Sequence, residues 1–237
     1  MLLRYPIYII LYLIPVILVS LTVHELSHAY FSYRLGDPTP KDQGRITLNP
    51  LKHLDPLGTI MILISGFGWA KPVKVNPMYY DDRKKGTMIV SLAGPLSNVL
   101  IALMFSFPMA FIGTQYGNLT IEGVFKTNAP IFYSGAGFLI ILFNLSRFFY
   151  IININLAVFN ILPIPPLDGS KILYSVLPSE KYYGIIKYEQ MIGIIFLFAI
   201  LVFPNLLLSV MYPFVWIVET GIKNITFPVL KLIFGSW

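Results

Sequence analysis

Long stretches of the chain carry no charge, and shorter stretches between them carry most of it. Residues 5–23 hold no Asp, Glu, Lys or Arg. About 20 apolar residues in helical conformation cross the roughly 30 Å hydrocarbon layer of a bilayer, so this stretch predicts a first spanning helix, continuing to Arg34. Residues 86–113 predict a second, and residues 144–162, interrupted only by Arg147, a third. Residues 191–210 predict a fourth, with Pro204 inside it to kink or break the helix. The tail, residues 212–237, reads either as a fifth span or as an interfacial helix, because Lys223 and Lys231 punctuate it.

The first apolar run is read as a retained helix. Arg4 precedes it, no small-residue cleavage site follows, and it runs directly into His24-Glu25-Leu26-Ser27-His28. Between the first and second spans, residues 44–50 and 70–77 look strand-like and both close on Asn-Pro. The apolar run between them, residues 57–69, is too short to span and fits a re-entrant or interfacial loop. The expected fold is an all-α polytopic membrane protein, a bundle of about four to five transmembrane helices with a small membrane-associated β-hairpin/re-entrant loop at residues 44–77. Residues 1–237 form a single membrane-embedded domain in this reading.

Composition agrees. The 237 residues are 56% hydrophobic and 12% charged, about half the usual charged fraction of a soluble domain. The net charge of +6 does not point to nucleic acid. The cations gather in loops, as expected for segments facing the cytoplasm and its anionic lipids. Residues 34–85 hold nine Lys and Arg, the loop between spans two and three holds Lys126, and residues 169–187 hold three. Loops one and three are therefore read as cytoplasmic. The absence of cysteine excludes disulfides and thiolate metal sites.

Candidate chemistry lies where the first span ends. His24 and His28 are four residues apart, so a helix projects both imidazoles from one face, one turn apart. That suits two nitrogen ligands on one zinc ion. Glu25 is turned about 100° away and can reach a metal-bound water as a general base. Ionisable residues continuing an apolar span are costly unless partnered, which makes them functional candidates. A catalytic zinc takes a third protein ligand. Asp168 is one candidate: Pro163, Pro165 and Pro166 end the third span before it, and Gly169 permits a turn after it. Glu189, in Lys187-Tyr188-Glu189-Gln190, is the rival. His53, the remaining histidine, either approaches the metal or fixes the loop before residues 57–69. Arg147 falls near the outer interface, where it can snorkel.

Three segments together, His24-Glu25-Leu26-Ser27-His28-Ala29-Tyr30, Ser91-Leu92-Ala93-Gly94-Pro95-Leu96-Ser97-Asn98 and Asn160-Ile161-Leu162-Pro163-Ile164-Pro165-Pro166-Leu167-Asp168-Gly169, resemble the site-2 protease family of intramembrane zinc metalloproteases, peptidase family M50, in its compact prokaryotic form. Residues 49–59 also look like a family segment. The resemblance implies a catalytic core of three helices, one zinc ion per chain on His24, His28 and Asp168, Glu25 as base, and Asn160 stabilising the scissile carbonyl. It implies close helix packing at Gly94 and Asn98. It also implies membrane-spanning protein substrates and a prokaryotic cell membrane, with the active site towards the cytoplasm. The chain departs from many relatives in leaving no room for a PDZ or CBS domain. Two other classes compete: a transporter or metal permease, against which the ionisable residues cluster at one depth, and an inactive chaperone-like relative, against which Glu25 is intact. Neither the substrate nor the oligomeric state is legible.

Overall fold

The structure is a computed structural model and describes residues 6–65, 68–117, 119–120, 137–178, 184 and 187–235. In chain order the helices are α1 (Ile7–Arg34), α2 (Thr39–Asp42), α3 (Pro56–Ser65), α4 (Arg83–Tyr116), α5 (Gly137–Ile161), α6 (Asp168–Val176), α7 (Glu189–Val202) and α8 (Pro204–Phe234). By length and hydropathy α1, α4, α5 and α8 can each cross a membrane. The first three match the predicted spans, with ends that differ by up to seven residues. Pro15 in α1 and Pro95 and Pro108 in α4 do not break their helices, because neighbouring helices can satisfy the freed backbone groups.

The bundle is centred on α4, which packs against both α5 and α1; α8 lies more lightly on α4 and α5. One apolar cluster joins Ala102 of α4 with Tyr150, Ile154 and Val158 of α5 and Met211 and Ile222 of α8. A second joins Val16, Ile101 and Phe149, where the rings of Phe105 and Phe149 stack 4.0 Å apart. Asp82 caps α4 by accepting from the backbone N–H groups of Lys84 and Lys85. At the same end, α6 is tied to α4 by Ser175 Oγ donating to the Lys84 carbonyl and Lys84 Nζ donating to the Leu177 carbonyl.

Two expectations require correction. The hairpin of residues 44–50 and 70–77 does not form; among the described residues the segment holds one isolated antiparallel bridge, Leu54 to Ala70, and no strand. The Asn-Pro pairs, read as strand ends, start single turns of 3-10 helix at Pro50–Lys52 and Pro77–Tyr79. Each Asn side chain accepts from the backbone N–H two residues on, and each Pro takes a helical position that needs no donor. The intervening apolar run is not a loop for most of its length but the ten-residue helix α3; residues 66 and 67 fall outside the described residues. Residues 71–76 return as an extended strap without sheet partners.

The predicted fourth span, residues 191–210, is not one element. It is cut at Phe203: α7 ends at Val202 and Pro204 opens α8, a 31-residue helix that absorbs most of the tail. Proline terminates one helix because it lacks an N–H, and begins the next for the same reason. The membrane-length helix in this region is therefore α8, which carries the tail's Glu219 and Lys223, 3.4 Å apart.

Candidate metal centre

Along α1, Ser20, His24, His28 and Ser32 recur every fourth residue and are all buried, so one line of the helix turns a polar edge into the bundle. From that edge His24 and His28 aim their Nε2 atoms at each other, 3.1 Å apart. Asp168 Oδ2 closes the triangle at 3.2 Å from His24 Nε2 and 3.1 Å from His28 Nε2. Among the described residues this is the group of three able to hold a metal ion, and all three are buried. Glu189 is not part of it.

Asp168 arrives by a different route. Pro163 follows the last helical residues of α5, and the chain passes through successive turns in which Leu162, Ile164 and Leu167 N–H groups find carbonyls two or three residues back. Asp168 then opens α6. A side chain at Gly169 would run into the carbonyl groups of Ile161 and Leu162, so the absence of Cβ lets α6 fold back tightly enough to bring Asp168 to the histidines. The second Asp168 oxygen, Oδ1, lies 3.6 Å from Lys171 Nζ.

His28 Nδ1 lies 2.7 Å from the Val90 carbonyl. A carbonyl only accepts, so Nδ1 carries the hydrogen and Nε2 presents a lone pair to the triangle. His24 Nδ1 lies 2.7 Å from Asn98 Oδ1 on α4. Gly94, one turn before Asn98, faces both rings: a Cβ there would lie under 3.0 Å from His28 Nε2 and from His24 Cε1 and Nε2. Its place is one of close packing, against the two imidazoles of the triangle.

The donor set fits zinc. Nitrogen and oxygen ligands at about 2.0–2.2 Å in tetrahedral geometry stand roughly 3.3–3.5 Å from one another, close to the 3.1–3.2 Å found here. Lone-pair nitrogens and a carboxylate crowded this closely repel unless a cation lies among them.

Glu25, also buried, points to the strap. Its Oε2 accepts from the Val73 N–H at 2.9 Å. The strap is fastened on either side, by Lys71 N–H donating to the His53 carbonyl at 2.8 Å and by Asn76 N–H donating to Asp37 Oδ2 at 2.7 Å. Arg45 Nη2 donates to the Lys71 carbonyl. His53 is fully buried, with Nε2 on the Thr47 carbonyl at 2.8 Å, and serves the loop rather than the triangle. Asn160 is half-buried and donates from Nδ2 to the Leu156 carbonyl of its own helix at 2.9 Å. Arg147 lies 6.0 Å from the Phe148 ring centroid, away from the site.

Sequence reasoning did not reach Asn153, Ser20, Val73 or Asp37. The first two had a legible signal, since an amide or hydroxyl inside an apolar span needs a partner. Val73 had none, because its main chain makes the contact.

A bundle of helices long and apolar enough to cross a membrane, with a buried His-His-Asp cluster able to hold a metal ion, is the arrangement of a polytopic membrane protein with a candidate metal centre. The sequence model of peptidase family M50 matches residues 12–203. Over 176 residues, 74% of each chain, the protein is 41% identical to "Putative zinc metalloprotease YwhC" of Bacillus subtilis. It is 31% identical over 196 residues to "Putative zinc metalloprotease Rip2" of Mycolicibacterium smegmatis, covering 80% of this chain and 66% of that one. It is 24% identical over 224 residues to "Zinc metalloprotease MJ0392" of Methanocaldococcus jannaschii, covering 87% and 51%. No solved structure matches the chain significantly. The chain belongs to peptidase family M50.

Proposed function

We propose that the protein is an intramembrane zinc metalloprotease that hydrolyses peptide bonds in membrane-spanning protein substrates, with one zinc ion per chain held by His24, His28 and Asp168. The observation that carries this reading is the buried triangle of two imidazole nitrogens and one carboxylate oxygen within 3.1–3.2 Å of one another, with Glu25 on the turn between the two histidines. Zinc bound there supplies a Lewis acid that polarises a carbonyl and acidifies water. Glu25 takes the proton from the attacking water and passes it to the leaving amine. Its carboxylate is oriented for this by the Val73 N–H. Asn160 donates to the oxygen that becomes negative as the carbonyl is attacked. An amide nitrogen has two hydrogens, so the bond to Leu156 leaves one for this purpose. The surrounding helices exclude bulk water and strengthen each of these interactions.

The basic loops support a cytoplasmic side for the C-terminal end of α1 and for Asp168. Cleavage in the cytoplasmic half of a substrate span follows, in the cell membrane of a prokaryote. The substrate helix must unwind locally, since a helix occupies its own carbonyls.

Two variants test the reading. Glu25→Gln should bind zinc and lose cleavage of a single-span substrate by about 10² or more. Asp168→Ala should lose zinc itself, measured by metal analysis of purified protein. Normal turnover in the first, or wild-type zinc content in the second, would remove the assigned roles.

A further inference from the structure

From His24 a line of buried amides crosses the bundle. Asn98 on α4 receives His24 Nδ1 at its Oδ1, 2.7 Å away. Asn98 Nδ2 donates to Asn153 Oδ1 on α5 at 2.7 Å. Asn153 Nδ2 donates to the Phe149 carbonyl and to Ser20 Oγ, each at 2.8 Å. The side chains of Asn98, Asn153 and Ser20 are fully buried, so no water competes for them.

An asparagine amide can be turned over with little change in shape, and its nitrogen and oxygen ends must be assigned from their partners. Here one partner has no freedom. The Phe149 carbonyl only accepts, so Asn153 must direct Nδ2 towards it and Oδ1 towards Asn98. Asn98 must then direct Nδ2 towards Asn153, and is left with Oδ1 facing His24. An acceptor facing Nδ1 requires a hydrogen there, which makes Nε2 the lone-pair nitrogen. His28 gets the same result in one step from the Val90 carbonyl. We infer that Asn153, acting through Asn98, fixes His24 as the Nδ1–H tautomer and so presents its Nε2 to the metal, with the Phe149 carbonyl setting the direction of the chain. Asn153 is a positioning residue; it touches neither metal nor substrate. Ser20 follows the direction of the chain without setting it, because a hydroxyl donates or accepts equally.

The inference rests on His24 being a zinc ligand. Removing the amide at 153 frees Asn98 to turn over and offer Nδ2 to His24, which stabilises the wrong tautomer. An aspartate at 98 has no donor to offer when ionised, and holds Nδ1–H as carboxylate partners of zinc-bound histidines do.

The test uses the full chain in lipid nanodiscs. Nitrogen-15 NMR of the three histidines in zinc-loaded protein should show His24 carrying its hydrogen at Nδ1; a hydrogen at Nε2 would overturn the inference before any variant is made. Competition with a chromophoric chelator should then show Asn153→Ala binding zinc about 10–100-fold more weakly, the range for such outer partners, with an Nε2–H signal appearing at His24. Adding Asn98→Asp to that variant should restore both affinity and tautomer, and Ser20→Ala should change neither. Unchanged affinity in Asn153→Ala, or a double variant weaker than the single one, refutes the relay, since a purely structural asparagine would yield additive damage. A wild-type protein whose zinc binding survives His24→Ala would instead sink the proposed metal site, while leaving the tautomer measurement to stand by itself.

Discussion

The two membrane-length helices α5 and α8 both run along α4, yet they are held in different ways. In its most apolar window α5 is 44% buried, like α4, whereas α8 is 11% buried. Helix α5 sends Asn153 into hydrogen bonds with α4 and α1. Helix α8 meets α4 through Ser106 and Thr226, whose hydroxyls lie 2.6 Å apart, and keeps its charged pair, Glu219 and Lys223, on a half-exposed face. In a bilayer apolar surface gives helices little reason to associate, so packing and buried polar contacts decide which helices form a fixed unit. By that measure α1, α4 and α5 form the rigid frame, and α8 is an appended span.

The comparison makes the frame sensitive and the appended helix tolerant. The largest effect outside the proposed metal ligands and Glu25 should come from Asn160→Ala, which should lower the rate by about 10²–10³, the scale of an oxyanion donor, while zinc content stays normal. Loss of zinc or failure to insert would recast Asn160 as part of the frame. Gly94→Ala should come next: its methyl group pushes on both imidazoles and should weaken zinc binding by about 10–100-fold in a chelator titration. Wild-type affinity would show that α4 can retreat and that the frame is softer than its burial suggests.

Asp37→Ala probes how the strap is tied to the frame. Burial raises the Asp37 pKa, but hydrogen bonds from the Thr39 hydroxyl, the Asn76 and Thr39 N–H groups and the Ser32 hydroxyl lower it overall. A carboxylate whose folded pKa is depressed stabilises the fold above its unfolded pKa, about 3.9, and that contribution is lost as pH falls through the lower folded value. Losing the group should cost about 1–3 kcal/mol, seen as faster proteolysis at Lys71 and Lys74 at neutral pH. In strong acid wild type and variant should converge. The smallest effect is expected in α8, where Lys223→Ala should change stability by about 0.5 kcal/mol or less, as for exposed pairs four apart on a helix. A larger loss, measured as reversible unfolding in detergent, would mean that α8 belongs to the frame.

Charge and hydropathy along the chain were enough for the spans of α1, α4 and α5, because lipid tolerates only long uncharged helices whose backbone is internally satisfied. The spacing of His24 and His28 was enough to put two imidazoles on one face, because helical periodicity is local. Where local rules competed, the sequence misled. Asn49-Pro50 and Asn76-Pro77 were read as strand ends and are capped turns, since alternating apolar residues favour a strand only when an edge with free N–H groups is there to pair. Pro204, read as a kink or a break, is a break, and it starts the next helix. Tertiary structure alone decided the rest. It brought Asp168, which the family resemblance already implied, up to the two histidines, set Val73 against Glu25, and aligned Asn98 and Asn153 between His24 and the Phe149 carbonyl. Apart from the bond of Asn153 to Phe149 within α5, those contacts join positions 48 to 144 residues apart, and the packing of α4 between α1 and α5 brings such distant side chains into contact.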